Sequence, residues 1–359
     1  MQRNILFIIV WYLSTCCLCQ GATIYVDSNS TAPANGCGQD IATACRTIAD
    51  GFSAASTADI IDIQPGLYTG FGNEDLKSVN FTATQLVITG STGNAEDVVI
   101  MCSSPNRFLA ANVHLYSVVR DLTIRNCSSL VTTTERAGTG GALLLAGVNS
   151  AVLITNVIFF GNKARNGGAI FLEGGSLTLR NCHFIANEAQ YWGGAVNFID
   201  SGLTVDSTIM TSNRAHGDLG GSQVNVDTDQ AGKGGGIHGN GGSRLSLLLS
   251  QFSDNSAMLS GGAVYLNLVS GLTVLNCLFL DNAASGGEAC TSDQVCQVRG
   301  GGIYVKDVAV TLTNSTFIRN SAVTQDLSQV LQPVPTLSSL SYYIYIYYFP
   351  CEGMAMCII

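Results

Sequence analysis

The sequence predicts an all-β chain wound as a single-stranded right-handed parallel β-helix, a solenoid with one coil per repeat. Three observations predict it. A Gly-Gly pair followed by a small or apolar residue begins at Gly140, Gly167, Gly193, Gly234, Gly261 and Gly300. About twenty residues after each pair comes Phe-x-x-Asn, as Phe159 with Asn162, Phe184 with Asn187, Phe252 with Asn255, Phe279 with Asn282 and Phe317 with Asn320. One copy has Met210 in place of Phe, ahead of Asn213. Ten and eight residues before the final Asn every copy is apolar, and the position between is usually hydroxylated: Thr178, Thr204, Ser246, Thr273 and Thr311. That alternation is a strand with one face in a core and one in water. The repeat is close to 26 residues, too short to bury its own apolar face, so coils must stack. No 3.6-residue periodicity survives within a repeat, which excludes a helical solenoid.

The elements follow in chain order. Arg3 and the apolar run Ile5 to Leu13 read as a signal peptide over 1–21, with cleavage after Cys19 or Gly21. A lipid-attachment signal at Leu13-Ser14-Thr15-Cys16 is the disfavoured alternative, because Thr fits poorly before the Cys. Residues 22–70 are expected to form the N-terminal cap and first coil, with a helical turn near Thr47 to Ala55 hiding the open end of the core. Repeats are expected over 71–323. Leu122-Thr123-Ile124-Arg125-Asn126 is aligned with the first strand and turn Asn of the repeat, and its coil lacks Phe-x-x-Asn. Insertions break the period at 214–233 and 286–299; such insertions leave a solenoid on one side and often build binding surfaces. After Asn320 no further Gly-Gly turn comes. The 324–359 tail carries the apolar run Tyr342 to Phe349, read as a gene-model artefact, with an unusual cap as the alternative.

Within each repeat the stacked positions have physical roles. The Phe column, Phe159, Phe184, Phe252, Phe279 and Phe317, is expected to stack inside the coil. The Asn column, Asn162, Asn187, Asn213, Asn255, Asn282 and Asn320, is expected to hydrogen-bond from coil to coil. A second column six residues earlier holds Asn156, Asn181, Ser207, Leu249, Asn276 and Asn314 at a turn.

The paired elements Gly167-Gly168-Ala169-Ile170 and Phe184-Ile185-Ala186-Asn187 resemble the repeats of chlamydial polymorphic outer membrane proteins. The stretch from Thr23 to Gly70, with Thr23-Ile24-Tyr25-Val26-Asp27 and Pro65-Gly66-Leu67-Tyr68-Thr69, resembles the opening of pectin-lyase-like β-helix proteins. Together the resemblance spans residues 23 to 323. It implies a β-helix fold, and the bacterial family implies surface display and adhesion through a C-terminal translocating barrel, which does not follow here. Similar repeats also occur in extracellular proteins of protists.

Composition narrows function. Charged residues make up 11% of the chain, the net charge is −9 and no basic run occurs, which argues against nucleic acid or an anionic membrane surface as partner. No stretch is a transmembrane helix. In an exported chain the cysteines can oxidise, and Cys37 with Cys45 and Cys290 with Cys296 flank short loops and read as disulfides rather than zinc ligands. No cofactor is expected. Asp218, Asp227 and Asp229 could ligate Ca²⁺, but their spacing is not that of an EF-hand and a solvated loop is favoured. Arg180 and Asp206 fall at equivalent positions of adjacent coils and read as an exposed ion pair; His183, beside Phe184, reads as an outward residue. Four glycosylation sequons occur. Asn29 and Asn80 are favoured, while Asn126 and Asn314 are assigned to the turn column, where burial is expected to block a glycan. The expected function is a secreted or cell-surface module that binds an extracellular glycan or protein without catalysis. The alternatives are a polysaccharide lyase or hydrolase with its site near 214–233, and a structural extracellular scaffold.

Overall fold

The structure, a computed structural model, describes residues 21–56, 58–77, 85–103, 105–112, 116–130, 138–147, 151–217, 232–242, 244–285, 298–322 and 355–358. The signal-peptide reading, Asn80, Asp218, Asp227, Asp229, Cys290, Cys296 and nearly all of the 324–359 tail lie outside these residues.

The path of one coil explains the rest. Ile170–Glu173 runs in a nine-stranded sheet, here the third sheet. Gly174 and Gly175 turn the chain into Ser176–Arg180 of a seventeen-stranded broad sheet. Asn181 kinks it into His183–Ile185 of the same sheet. After Asn187 the strand Glu188–Trp192 enters a six-stranded narrow sheet. Gly193 and Gly194 return the chain to the third sheet at Val196–Ile199, one coil further on. The fold is a right-handed parallel β-helix, the hand that a right-twisted strand and crossover favour.

Register is held from coil to coil. Val152, Leu177, Leu203, Leu245, Leu272 and Val310 pair in sequence as one inward column. Phe159 stacks on Phe184 with ring centroids 4.7 Å apart, Phe252 on Phe279 at 4.8 Å and Phe279 on Phe317 at 4.6 Å. These distances are the strand spacing, so parallel pairing alone brings the rings face to face. Met210 fills the same column between Phe184 and Phe252.

The Asn residues that close Phe-x-x-Asn are buried and chained together. Asn162 Nδ2 donates to Asn187 Oδ1 at 3.0 Å, and the pattern continues through Asn213, Asn255, Asn282 and Asn320 at 2.8–2.9 Å. Each of these Oδ1 atoms also accepts the backbone N–H of the Asn one coil back, as from Asn213 to Asn255. Buried polar groups are thus paired throughout the row. A second polar row runs through the residues after the kink: Cys182 N–H donates to Thr208 Oγ1, Thr208 N–H to Ser250 Oγ, and Cys277 N–H to Ser315 Oγ. Among the described residues the free thiols Cys182 and Cys277 are buried in this row. Burial pushes the Cys182 thiol up to about 12, so it acts as a small packing group and not as a nucleophile.

Two turns need special backbone. The kink column adopts positive φ at Asn156, Asn181, Ser207, Leu249, Asn276 and Asn314, a region that Asn tolerates best after Gly. At the Gly-Gly turn a Cβ on Gly168 would lie 2.1 Å from the carbonyl oxygen of Gly194.

The N-terminal end is covered by helix α1, Ile48–Ala54, whose N-cap Thr47 accepts the Asp50 N–H. Ile48 and Phe52 of α1 join the core, and a Cys37–Cys45 disulfide closes the neighbouring loop.

Two expectations are corrected. Leu122, Thr123 and Ile124 pair with Val157, Ile158 and Phe159, so this segment is the second strand of its coil and not the first. Ile124 therefore takes the Phe position, Cys127 the ladder-Asn position, and Asp121 rather than Asn126 stands in the kink column. Cys127 N–H donates to Asn162 Oδ1, and its sulfur is bonded to Cys102 of the preceding coil, a covalent rung below the Asn ladder. Second, Asn126 and Asn314 are exposed, because the kink and the turn after the second strand point their side chains outward. Ala355–Ile358 pairs antiparallel with Ile303–Lys306 at the edge of the third sheet.

Candidate functional site

Charge on this molecule is invisible along the sequence and organised in space. On the narrow sheet Ala164, Ala189, Ala215, Ala257 and Ala284 point inward, and small side chains there let the sheet close on the core. Their neighbours point out. Lys163, Glu188 and Arg214 stand in register on three successive coils, with Arg165 and His216 beside them. Where the narrow sheet turns into the third sheet, Asn166, Trp192, Lys233, Ser260 and Arg299 form the next column. Lys163, Arg165, Lys233, Arg214 and Arg299 therefore share one strip with a single carboxylate among the described residues, Glu188, five cations against one anion. The whole chain carries −9.

Glu188 Oε2 lies 2.8 Å from Lys163 Nζ and 3.8 Å from His216 Nε2. Burial, reinforced by Arg214 and Lys163 and opposed by Glu188, holds the His216 imidazole below its ordinary pKa. It is therefore neutral near pH 7. Lys163, Arg165 and Arg214 are exposed.

The corner also carries a row of rings on the outward face of the third sheet, where Asn197, His238, Tyr265 and Tyr304 are in register. Trp192 stacks on His238 at 5.3 Å, His238 on Tyr265 at 5.1 Å and Tyr265 on Tyr304 at 5.1 Å. Lys233 Nζ sits 5.2 Å from the centre of the Tyr265 ring, and Arg299 Nη1 donates to the Tyr304 hydroxyl at 3.2 Å. The stacked rings make a rigid seat for the cations. His238 is wholly buried, its Nδ1 2.9 Å from Asn197 Oδ1, and burial lowers its pKa to about 3. Both insertions connect the narrow sheet to this corner: described residues flank them at Gly217 and Gly232, and at Ser285 and Val298.

A smaller cluster lies on the outward face of the broad sheet near the N-terminus. Asp62, Thr89 and Arg120 are in register, and Arg120 Nε is 3.6 Å from Asp121 Oδ2. Burial raises the Asp62 carboxyl above its ordinary value, against the pull of Arg120. Further along the same face Arg180 and Asp206 make an exposed ion pair at 3.2 Å, and His183 is exposed. Asn29 is exposed, its N–H bound to Asp27 Oδ1 at 2.8 Å. Among the described residues no three His, Cys, Asp or Glu side chains converge as a metal site, and no helix is long and apolar enough to cross a membrane.

Comparison with known proteins gives the class. Residues 168–329 match the family described as right handed beta helix region, and residues 156–173 match the Chlamydia polymorphic membrane protein repeat. The fold is that of a right-handed parallel β-helix, and one segment of it is similar to the repeat of chlamydial polymorphic membrane proteins. No curated protein matches it. Among solved structures it is similar to pectin methylesterase PemA from Erwinia chrysanthemi, at 13% identity, over 86% of this chain and 92% of that one, with a TM-score of 0.37. It is also similar to a rhamnogalacturonan lyase at 10% identity, over 81% of this chain and 62% of that one, with a TM-score of 0.37.

Proposed function

We propose that this protein is an extracellular, non-catalytic β-helix that holds an anionic polysaccharide along the narrow sheet and its corner. The observation that supports this reading is the cationic strip. Lys163 and Arg214 are two coils apart, as are Lys233 and Arg299, so each pair is separated by about two strand spacings, roughly 9.6 Å. A regular row of cations on a rigid face suits a stiff polymer bearing carboxylates or sulfates. The acidic remainder of the surface repels the same polymer elsewhere and confines it to the strip. Among the described residues of the strip the one carboxylate is Glu188, and it is paired with Lys163. Disulfides at Cys37–Cys45 and Cys102–Cys127 are consistent with an oxidising, extracellular setting.

Calorimetric titration of the full chain with polygalacturonate and with a neutral galactan tests the reading. Binding to the acidic polymer alone is expected, weakening as NaCl rises from 50 to about 300 mM, over which the Debye length shrinks. The Lys163→Glu/Arg214→Glu variant should lose about tenfold or more in affinity. Equal binding of the neutral polymer, or indifference to salt and to the variant, would sink it.

The alternative reading is catalysis at Asp62, favoured by one observation: a carboxyl held above its ordinary pKa in register with Arg120. It requires new reducing ends, unsaturated products or released ester groups that Asp62→Asn abolishes.

A further inference from the structure

We propose that Asn314 is an N-glycosylation acceptor and that its glycan stands on the broad sheet, away from the cationic strip. The kink column holds Asn156, Asn181, Asn276 and Asn314, all with positive φ. Only Asn314 is followed two residues later by a hydroxyl, in Asn314-Ser315-Thr316; Asn156, Asn181 and Asn276 are followed there by Ile158, His183 and Leu278. The sequon thus falls at a kink position of the coil, where the backbone points the side chain outward between two strands. Asn314 and Thr316 are both exposed.

The local geometry accepts the modification. Asn314 Nδ2 donates to Asn276 Oδ1 at 2.6 Å. Glycosylation consumes one of the two Nδ2 hydrogens and leaves the other, so the bond to Asn276 can persist in the modified protein. In the transfer, the bond from the anomeric carbon of a polyprenyl-pyrophosphate-linked oligosaccharide to its phosphate oxygen breaks. A bond from that carbon to Asn314 Nδ2 forms, the amide proton is lost, and polyprenyl pyrophosphate leaves. The enzyme and the lipid-linked donor are those of the secretory compartment. The ladder Asn residues cannot serve, since Asn282 and Asn320 are buried and their Nδ2 groups are committed to Phe252 and Phe279 carbonyls. Asn126 is exposed too, but its sequon runs into Cys127 of the Cys102–Cys127 disulfide and the buried Ser128.

The experiment is expression of the full chain, with its own N-terminus, in a eukaryotic secretory host. Material from the medium and from the cells is treated with peptide-N-glycosidase F in ¹⁸O water and sequenced by mass spectrometry. Most Asn314 should appear as ¹⁸O-labelled Asp. Asn314→Gln and Thr316→Ala should each remove one glycan from the mobility pattern, and Thr316→Ser should keep it. A peptide carrying unmodified Asn314 as the main species, in either fraction, overturns the proposal. Because the wild-type peptide decides, a variant that fails to fold leaves the conclusion intact. Loss of polysaccharide binding would not bear on it.

Discussion

Asn255 shows what one side chain carries in a stacked coil. Its Oδ1 accepts from the backbone and side chain of Asn213, and its Nδ2 donates to Asn282 Oδ1 and to the Met210 carbonyl. Asn255→Ala leaves several buried groups without partners, each costing about 1–3 kcal/mol. A loss of roughly 3 kcal/mol or more is expected in urea unfolding; a loss under about 1 would mean that water replaces the ladder. His238 makes a second residue-scale prediction. Its folded pKa of about 3 lies below the ordinary 6.5. The unfolded chain therefore binds a proton that the folded chain refuses. The stabilisation is complete above pH 6.5 and falls as pH drops, by about 1.4 kcal/mol per unit until the folded pKa is reached. His216, also lowered, contributes in the same direction. Unfolding midpoints measured between pH 7 and 5 should fall, and His238→Phe should reduce the slope.

At the scale of elements the Gly-Gly turns set how closely coils approach. A Cβ on Gly194 would meet the Gly235 carbonyl oxygen at 2.1 Å and the Arg214 backbone at 2.5 Å. Both contacts are backbone, so neither can swing aside. Gly194→Ala is expected to prevent secretion or to abolish the cooperative transition seen by circular dichroism; near-normal stability would show that the coils can separate locally. The same elements explain what could be read from the sequence. Strands, inward columns and the Phe and Asn ladders were legible because the copies repeat at near-constant spacing. The register of the coil holding Leu122 is hidden because Ile124 and Cys127 replace the two residues that mark it. The Cys102–Cys127 bond carried one signal, a separation of 25 residues, close to a single period. The cationic strip carried none. Its members come one or two per coil with whole strands between them, so no window along the chain contains a basic run. Only stacking brings them together, and the exposure of Asn126 and Asn314 likewise depends on turn direction, which composition does not encode.

For the whole molecule, each coil is stabilised by the coil on either side, so stability depends on position along the axis. Interior coils have two neighbours: Leu203, Val205, Met210 and Asn213 are all buried by coils before and after. Helix α1 covers the first coil with Ile48 and Phe52. At the other end Val310, Leu312 and Phe317 are only partly buried, and Thr311 and Thr313 are exposed. Ala355–Ile358 meets the third sheet there, at Ile303–Lys306. It does not pair with Val310–Thr313 of the broad sheet. The last described coil therefore has the least to lose on opening, since local stability follows buried apolar contact and protected hydrogen bonds. Hydrogen exchange followed by mass spectrometry should show amides of 310–322 exchanging first, those of 303–306 later, and those of 176–215 and 245–257 last. If 310–322 were as protected as the interior, the broad sheet would have a covering neighbour at that end, and the one-dimensional account of its stability would be wrong. The gradient also bears on function. Lys163, Arg165 and Arg214 lie in the interior coils, where a rigid row of cations can be kept without a ligand to order it, so binding to the strip should leave exchange at 310–322 unchanged.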